Sequence, residues 1–149
     1  MGFRKKTIRD VELAGKTVLV RVDYNVPMKD GKITEDMRIT ASFPTINYLL
    51  EQGAKKVILI SHMGRPDGEV KPEFSLAPVA ERLAELMPER SVDFCEKTIG
   101  SLVAAKVATM PDGGILLLEN LRFSPDEEAN SEDFARAIML STNADLFVQ

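Results

Sequence analysis

Cysteine and histidine are almost missing from this chain, which has one of each, Cys95 and His62. A lone cysteine excludes an internal disulfide and points to a reducing, cytoplasmic compartment. Flanked by Phe94 and Val92, Cys95 reads as a small apolar filler in a strand. The other reading, a catalytic thiol, lacks a second histidine to activate it. No excess of one charge is present either. With 28% charged residues and a formal net charge of -4, nothing draws the chain to nucleic acid or an anionic membrane, so any anion site has to be local. Long apolar runs are missing as well. The basic start MGFRKKTIRD leads into VLV, which Arg21 and Asp23 cut short, so no signal peptide or membrane span is expected. Lys6 stands where a myristoylation pattern requires serine or threonine.

Nucleotide fingerprints are absent too. DVELAGKT (10–17) ends in the Gly-Lys-Thr of a P-loop, but Asp10 replaces the opening glycine, and the segment leads into a strand where a P-loop leaves one. There is no G-x-G-x-x-G. The acidic stretch PDEEANSED (125–133) reads as a polar loop and helix start, with its acids favouring the helix's positive end. A metal site there lacks histidine and cysteine.

What remains is enough for one domain, 1–149: 149 residues, 44% of them hydrophobic. Apolar β-branched runs predict strands at 17–22, 57–61, 92–94, 115–119 and 145–148. Between them, apolar positions recur at helical spacing. A helix over 36–52 places Ile39, Phe43, Ile46, Leu49 and Leu50 on one face, kinked at Pro44 and stopped by Gly53. Others are expected over 76–87 with Ser75 as N-cap, over 99–110, and over 132–142 after Ser131. Strands as uniformly apolar as VILI and ILLL are those covered on both faces, and helices of this length suit parallel crossovers. The fold class is therefore α/β, a Rossmann-like three-layer parallel sheet with helices on both faces. The chain stops at DLFVQ, at a strand end, which we read as a piece of a longer protein.

Parallel strands point one way, so their C-terminal ends collect functional groups at one edge. Strand one delivers Asp23 and Asn25, strand two His62, Gly64 and Arg65, and the ILLLE strand Asn120 and Arg122, with Arg38 on the same side. Several arginines and a histidine in one crevice repel each other unless an anion lies between them, and arginine's planar fork suits phosphate or carboxylate. Asp23 and Asn25 suit sugar-like hydroxyls or the orienting of an arginine. Taken singly, each has a plain alternative: turn former, solvated loop charge, capping histidine. Two other classes stay open, a phosphate-binding module without catalysis and a phospho-accepting Asp23, although Asn25 offers the latter only a neutral neighbour.

RVDYNVP (21–27), DMR (36–38), SHMGRP (61–66), FSLAPVAERL (74–83) and LLLENLRF (116–123), in this order and spacing, resemble the N-terminal domain of the phosphoglycerate kinase family. That resemblance implies a two-lobed phosphotransferase of glycolysis and gluconeogenesis. The first lobe binds 3-phosphoglycerate or 1,3-bisphosphoglycerate, and a second, absent from this chain, binds ADP or ATP with Mg2+. It implies that Asp23 and Asn25 contact the glycerate portion, that His62, Arg65 and Arg122 hold the phosphate, that Gly64 is a further substrate-binding residue, and that Arg38 binds substrate as the catalytic arginine. Tyr24, Met63 and Gln149 depart conservatively from the family pattern. Hinge closure unites the two lobes in this family, so the chain alone is expected to catalyse nothing. A cytoplasmic protein, monomeric at full length and without nucleic-acid or membrane partners, completes the expectation.

Overall fold

The computed structural model describes residues 5–129 and 131–149. The first four residues of the basic start and Asn130 of the acidic stretch lie outside them, as does the side chain of Glu128. The chain forms β1 (Thr17–Arg21), then a short antiparallel hairpin of β2 (Met28–Lys29) and β3 (Lys32–Ile33), and then α1 (Met37–Thr40) and α2 (Phe43–Glu51). It continues through β4 (Lys56–Ile60), α3 (Ala77–Leu86), β5 (Val92–Cys95), α4 (Ser101–Thr109) and β6 (Gly114–Leu118). The one-turn α5 (Pro125–Glu128), α6 (Glu132–Thr142) and β7 (Leu146–Val148) complete the order. The main sheet is wholly parallel in the order β5-β6-β4-β1-β7.

Register explains why the central strands carry no polar alternation. Val18, Val57 and Ile115 align across three strands, as do Val20, Leu59 and Leu117, and all six face a core shared with Ile46 and Leu49 of α2 and Val79 and Leu83 of α3. Leu19, Ile58 and Leu116 align between them and face the opposite core, with Val103 and Val107 of α4 and Phe134 and Ile138 of α6. Both faces are thus dry, and each such side chain, wholly withdrawn from water, stabilises by roughly 1.5–3 kcal/mol. Cys95 is buried at the end of β5 as a core filler. Among the described residues no helix is long and apolar enough to cross a membrane.

Two local expectations need correction. The helix expected over 36–52 is interrupted at Ala41 and Ser42, and Pro44 sits in the first turn of α2. Lacking an N–H, proline breaks an i→i−4 ladder but fits a helix start, so it begins a new helix and does not kink one. Gly53, at φ 90°, ends α2 as expected. Ser75 is not the N-cap of α3; Leu76 is, without a side-chain cap bond of its own. Ser75 Oγ still accepts the Ala77 N–H, and the buried carboxylate of Glu119 accepts both the Ser75 hydroxyl at 2.7 Å and the Leu76 N–H at 2.9 Å. A negative charge buried there answers the unpaired N–H groups and the positive end of the helix.

Candidate functional site

The sheet delivers its polar residues where β1, β4 and β6 end. Past β1, Val22 N–H still bonds Ile60 C=O. The chain then peels away, and Tyr24 N–H donates to Ser61 Oγ at 3.0 Å. Tyr24 is buried, its hydroxyl lies 2.7 Å from Ser42 Oγ, and burial pushes its phenol up to about 12. It is a neutral anchor that fixes Asp23 and Asn25 on either side of it. Asp23 Oδ1 accepts the Asn25 N–H at 3.2 Å and Arg38 Nη1 at 3.2 Å, and the same Nη1 donates to Asn25 C=O at 2.8 Å. Arg38 is thereby docked against the end of β1 by one nitrogen. Its side chain stays half exposed, and Nε and Nη2 have no partner among the described residues.

From Asn25 the contacts run on without a gap. Asn25 Oδ1 accepts the Gly64 N–H at 3.0 Å, and Gly64 C=O accepts Arg122 Nη1 at 3.3 Å. Gly64 has φ 60°, and a Cβ there would lie 2.5 Å from the Phe74 ring. Only glycine lets that ring close over the turn. Both backbone groups of Gly64 are engaged within the protein, so it joins Asn25 to Arg122. Arg65, next to it, is exposed and makes no hydrogen bond or ion pair among the described residues. His62 is half-buried. Burial lowers its pKa below the ordinary 6.5, the cations of Arg122 and Arg21 push the same way, and the carboxylates of Glu127 and Asp23 oppose them.

Beneath this lip, Asn120 is the clamp. Fully buried, it accepts the N–H groups of Met63 and Arg122 on Oδ1 and donates through Nδ2 to the carbonyls of Met63 and Phe74. All seven residues expected at the site, Asp23, Asn25, Arg38, His62, Gly64, Arg65 and Arg122, therefore stand on the ends of two adjacent strands, their neighbour β6 and the start of α1.

Two residues of the cluster escaped sequence reasoning. Arg21, read only as an interruption of an apolar run, and Glu127, read as part of an acidic loop, form an ion pair at 2.9 Å across 106 residues, and Glu127 also pairs with Arg122 Nε at 3.3 Å. The arginines are thus not left facing one another, because a carboxylate of the chain itself lies between two of them. Burial pushes the Glu127 carboxyl up, but the hydrogen bond and charge of Arg21, then those of Arg122, outweigh it and hold the group below the usual carboxylate range. It is ionised at neutral pH.

A cavity of about 340 Å³ adjoins the lip, walled by Asn25, Val26, Met63, Gly64 and Phe74 among others. A roomier polar cavity of about 500 Å³ lies away from the strand ends, around Arg82. There Arg82 is bonded to Asp36 at 2.8 Å and Glu85 at 2.9 Å, with Glu35 and Glu81 alongside. Acidic and already paired, that cavity is unsuited to an anion.

Comparisons with known proteins point to one family. A family model described as phosphoglycerate kinase matches residues 8–149. The phosphoglycerate kinase of Clostridium botulinum (strain Eklund 17B / Type B) is 51% identical over 149 residues, 99% of this chain and 37% of the relative. That of Borrelia turicatae (strain 91E135) is 53% identical over 143 residues, 96% of this chain and 36% of the relative. The solved structure of phosphoglycerate kinase from Coxiella burnetii matches with a TM-score of 0.77 at 35% identity, over 94% of this chain and 33% of that one. The enzyme from Pyrococcus horikoshii OT3 matches at 0.78 and 34%, over 94% and 35%. The chain spans about 37% of the length of the first of these curated relatives.

Proposed function

The chain belongs to the phosphoglycerate kinase family, and from that premise we propose that its strand ends hold the phosphoglycerate in a reversible phosphoryl transfer. The reaction is between 1,3-bisphosphoglycerate and ADP, giving 3-phosphoglycerate and ATP. The observation that carries this reading is the unbroken line of contacts from Arg38 through Asn25 and Gly64 to Arg122. It puts a free guanidinium edge at one end and a group of cations at the other, as a short molecule with a carboxyl end and a phosphate end requires. Asp23 and Asn25 lie between, with Asp23 Oδ2 and Asn25 Nδ2 unpartnered among the described residues and suited to hydroxyls.

Each residue then has a part. Arg122, Arg65 and His62 hold the phosphate, and Arg38 reaches the acyl end, where negative charge spreads over the transferring group. Phosphoryl transfer asks of a protein mainly positioning and charge stabilisation, which prealigned arginines supply. Mg2+ with ADP or ATP neutralises the phosphates, but the residues of this chain do not fit it. Magnesium needs several oxygen ligands, whereas Asp23 and Glu127 are committed to arginines, and the described residues hold no group of three or more acidic, histidine or cysteine side chains suited to a metal ion. We assign the nucleotide and its metal to a second lobe, as in a two-lobed kinase, and expect this chain alone to bind phosphoglycerate without turning it over. A cytoplasmic monomer is the form we propose for the whole protein.

Calorimetric titration with 3-phosphoglycerate against pH tests the reading. The lowered pKa leaves His62 neutral in the free protein at pH 7, while a phosphate beside it favours the imidazolium. Binding is therefore expected to take up a proton, to be tightest below the free-state His62 pKa and to weaken as pH rises through the raised pKa of the bound state. The ligand's own second ionisation, near pH 6, is common to wild type and His62→Gln, so the difference between their profiles isolates the histidine. No saturable binding by wild type defeats the functional reading; identical profiles for the two proteins defeat only the role of His62.

A further inference from the structure

We propose that Glu127 is a positioning residue for the anion site: it holds Arg21 and Arg122 side by side, one carboxylate oxygen to each, and a bound phosphate adds to that trio without displacing it. The inference rests on the reading that the strand ends bind phosphoglycerate.

The geometry sets Glu127 behind the arginines. Its side chain is 10% exposed, against 33% for Arg21 and 26% for Arg122, so the carboxylate faces the protein and the guanidiniums face outward. Oε1 accepts from Arg21 Nη2 and Oε2 from Arg122 Nε, which occupies both oxygens. The carboxylate has no comfortable place to retreat to. The adjoining cavity of about 350 Å³ is walled largely by Leu19, Ile60, Leu121, Phe134, Ile138 and Phe147, where an unpaired carboxylate is costly.

The segment carrying it is fixed on the site as well. Ser124 caps the turn of α5 through the Asp126 N–H. Gly68 N–H bonds Arg122 C=O at 3.2 Å, and a Cβ on Gly68 would lie 2.9 Å from Pro125, so the loop after β4 closes directly on α5. Nη2 to Glu127 holds the plane of Arg21, and Nε to Glu127 with Nη1 to Gly64 C=O holds that of Arg122; a guanidinium in a fixed plane keeps the fork geometry by which arginine gains specificity for phosphate.

Charge and position make opposite predictions. Glu127→Gln leaves the site one unit more positive, so Coulomb attraction alone predicts tighter anion binding. Loss of the fork predicts weaker binding.

The test titrates the full-length protein, wild type and Glu127→Gln, with 3-phosphoglycerate and separately with inorganic phosphate. The expected result is a Kd for phosphoglycerate raised about tenfold or more, with inorganic phosphate weakened in the same direction. In an Arg21→Ala, Arg122→Ala background the same substitution is expected to change Kd less than about twofold, because the residues it acts through are gone. Unchanged or tighter binding by Glu127→Gln overturns the proposal, and so does a tenfold loss that persists in the double-alanine background. If Glu127→Gln does not fold, Glu127→Asp takes its place, too short to reach both arginines, with the same expected and overturning results. If wild type binds inorganic phosphate but not phosphoglycerate, the substrate assignment falls, and the role of Glu127 is decided by the phosphate titrations.

Discussion

Arg38→Ala in the full-length protein is expected to lower turnover on the order of 10³-fold or more, with little change in folding stability. Both parts follow from where the side chain sits. Arg38 is half exposed and packs into neither core, and its ion pair with Asp23 joins two exposed groups, a kind of contact that stabilises little. Removing it costs the fold almost nothing. The site, however, loses the guanidinium whose Nη1 is docked on Asp23 and Asn25 while Nε and Nη2 stay available to a ligand. Lysine is not expected to rescue the loss, because one ammonium cannot both keep the docking bonds and present a planar edge outward. Steady-state kinetics with saturating substrates, beside a thermal melt, check the pair of expectations. A loss of only a few-fold in kcat, or a drop of many degrees in Tm, contradicts the role.

Asn120→Ala is expected to do the reverse, destabilising the fold by about 3 kcal/mol and disordering the site as a consequence. Asn120 is wholly buried and the four hydrogen bonds of its side chain all go to backbone: Met63 N–H at 3.1 Å, Arg122 N–H at 3.0 Å, Met63 C=O at 2.7 Å and Phe74 C=O at 3.0 Å. Alanine leaves these groups short of partners in a place that water does not readily reach, and each buried unsatisfied group costs about 1–3 kcal/mol. The same bonds tie the loop after β4 to the turn from Asn120 to Arg122 beyond β6, so Gly64 and Arg122 lose their common support. Urea unfolding gives the number, with an unchanged m-value showing that stability itself moved. A loss under about 1 kcal/mol contradicts the clamp.

Much of the fold was legible because a parallel sheet covered on both faces writes its strands as unbroken apolar runs. VILI and ILLL became the cores of β4 and β6 within a residue at either end. Ser131 was legible as the cap of α6, and its Oγ accepts the Phe134 N–H. Strand ends then placed the expected site residues together without any knowledge of side-chain geometry. The β2–β3 hairpin went unread because each strand has two residues and no period. Asp30 and Gly31 between them, both at positive φ, are the Asp-Gly pair favoured by such turns and the signal that was available.

Arg21 and Glu127 were hidden for a different reason. Their meaning lies in a contact across 106 residues, created only when α5 folds over the end of β1, and nothing local separates Glu127 from its acidic neighbours. Clustered arginines were expected to need an anion between them, and between Arg21 and Arg122 the structure places the Glu127 carboxylate. Part of that anion is supplied by the chain.

An isotope-labelled sample titrated with 3-phosphoglycerate, with amide shifts followed residue by residue, tests the central claim most directly. Saturable shifts concentrated at Asp23, Asn25, Arg38, His62, Gly64, Arg65 and Arg122 are the predicted result, with D-glycerate, which lacks the phosphate, failing to reproduce those at His62, Arg65 and Arg122. Shifts centred instead on the cavity around Arg82, or no saturable response, contradict it.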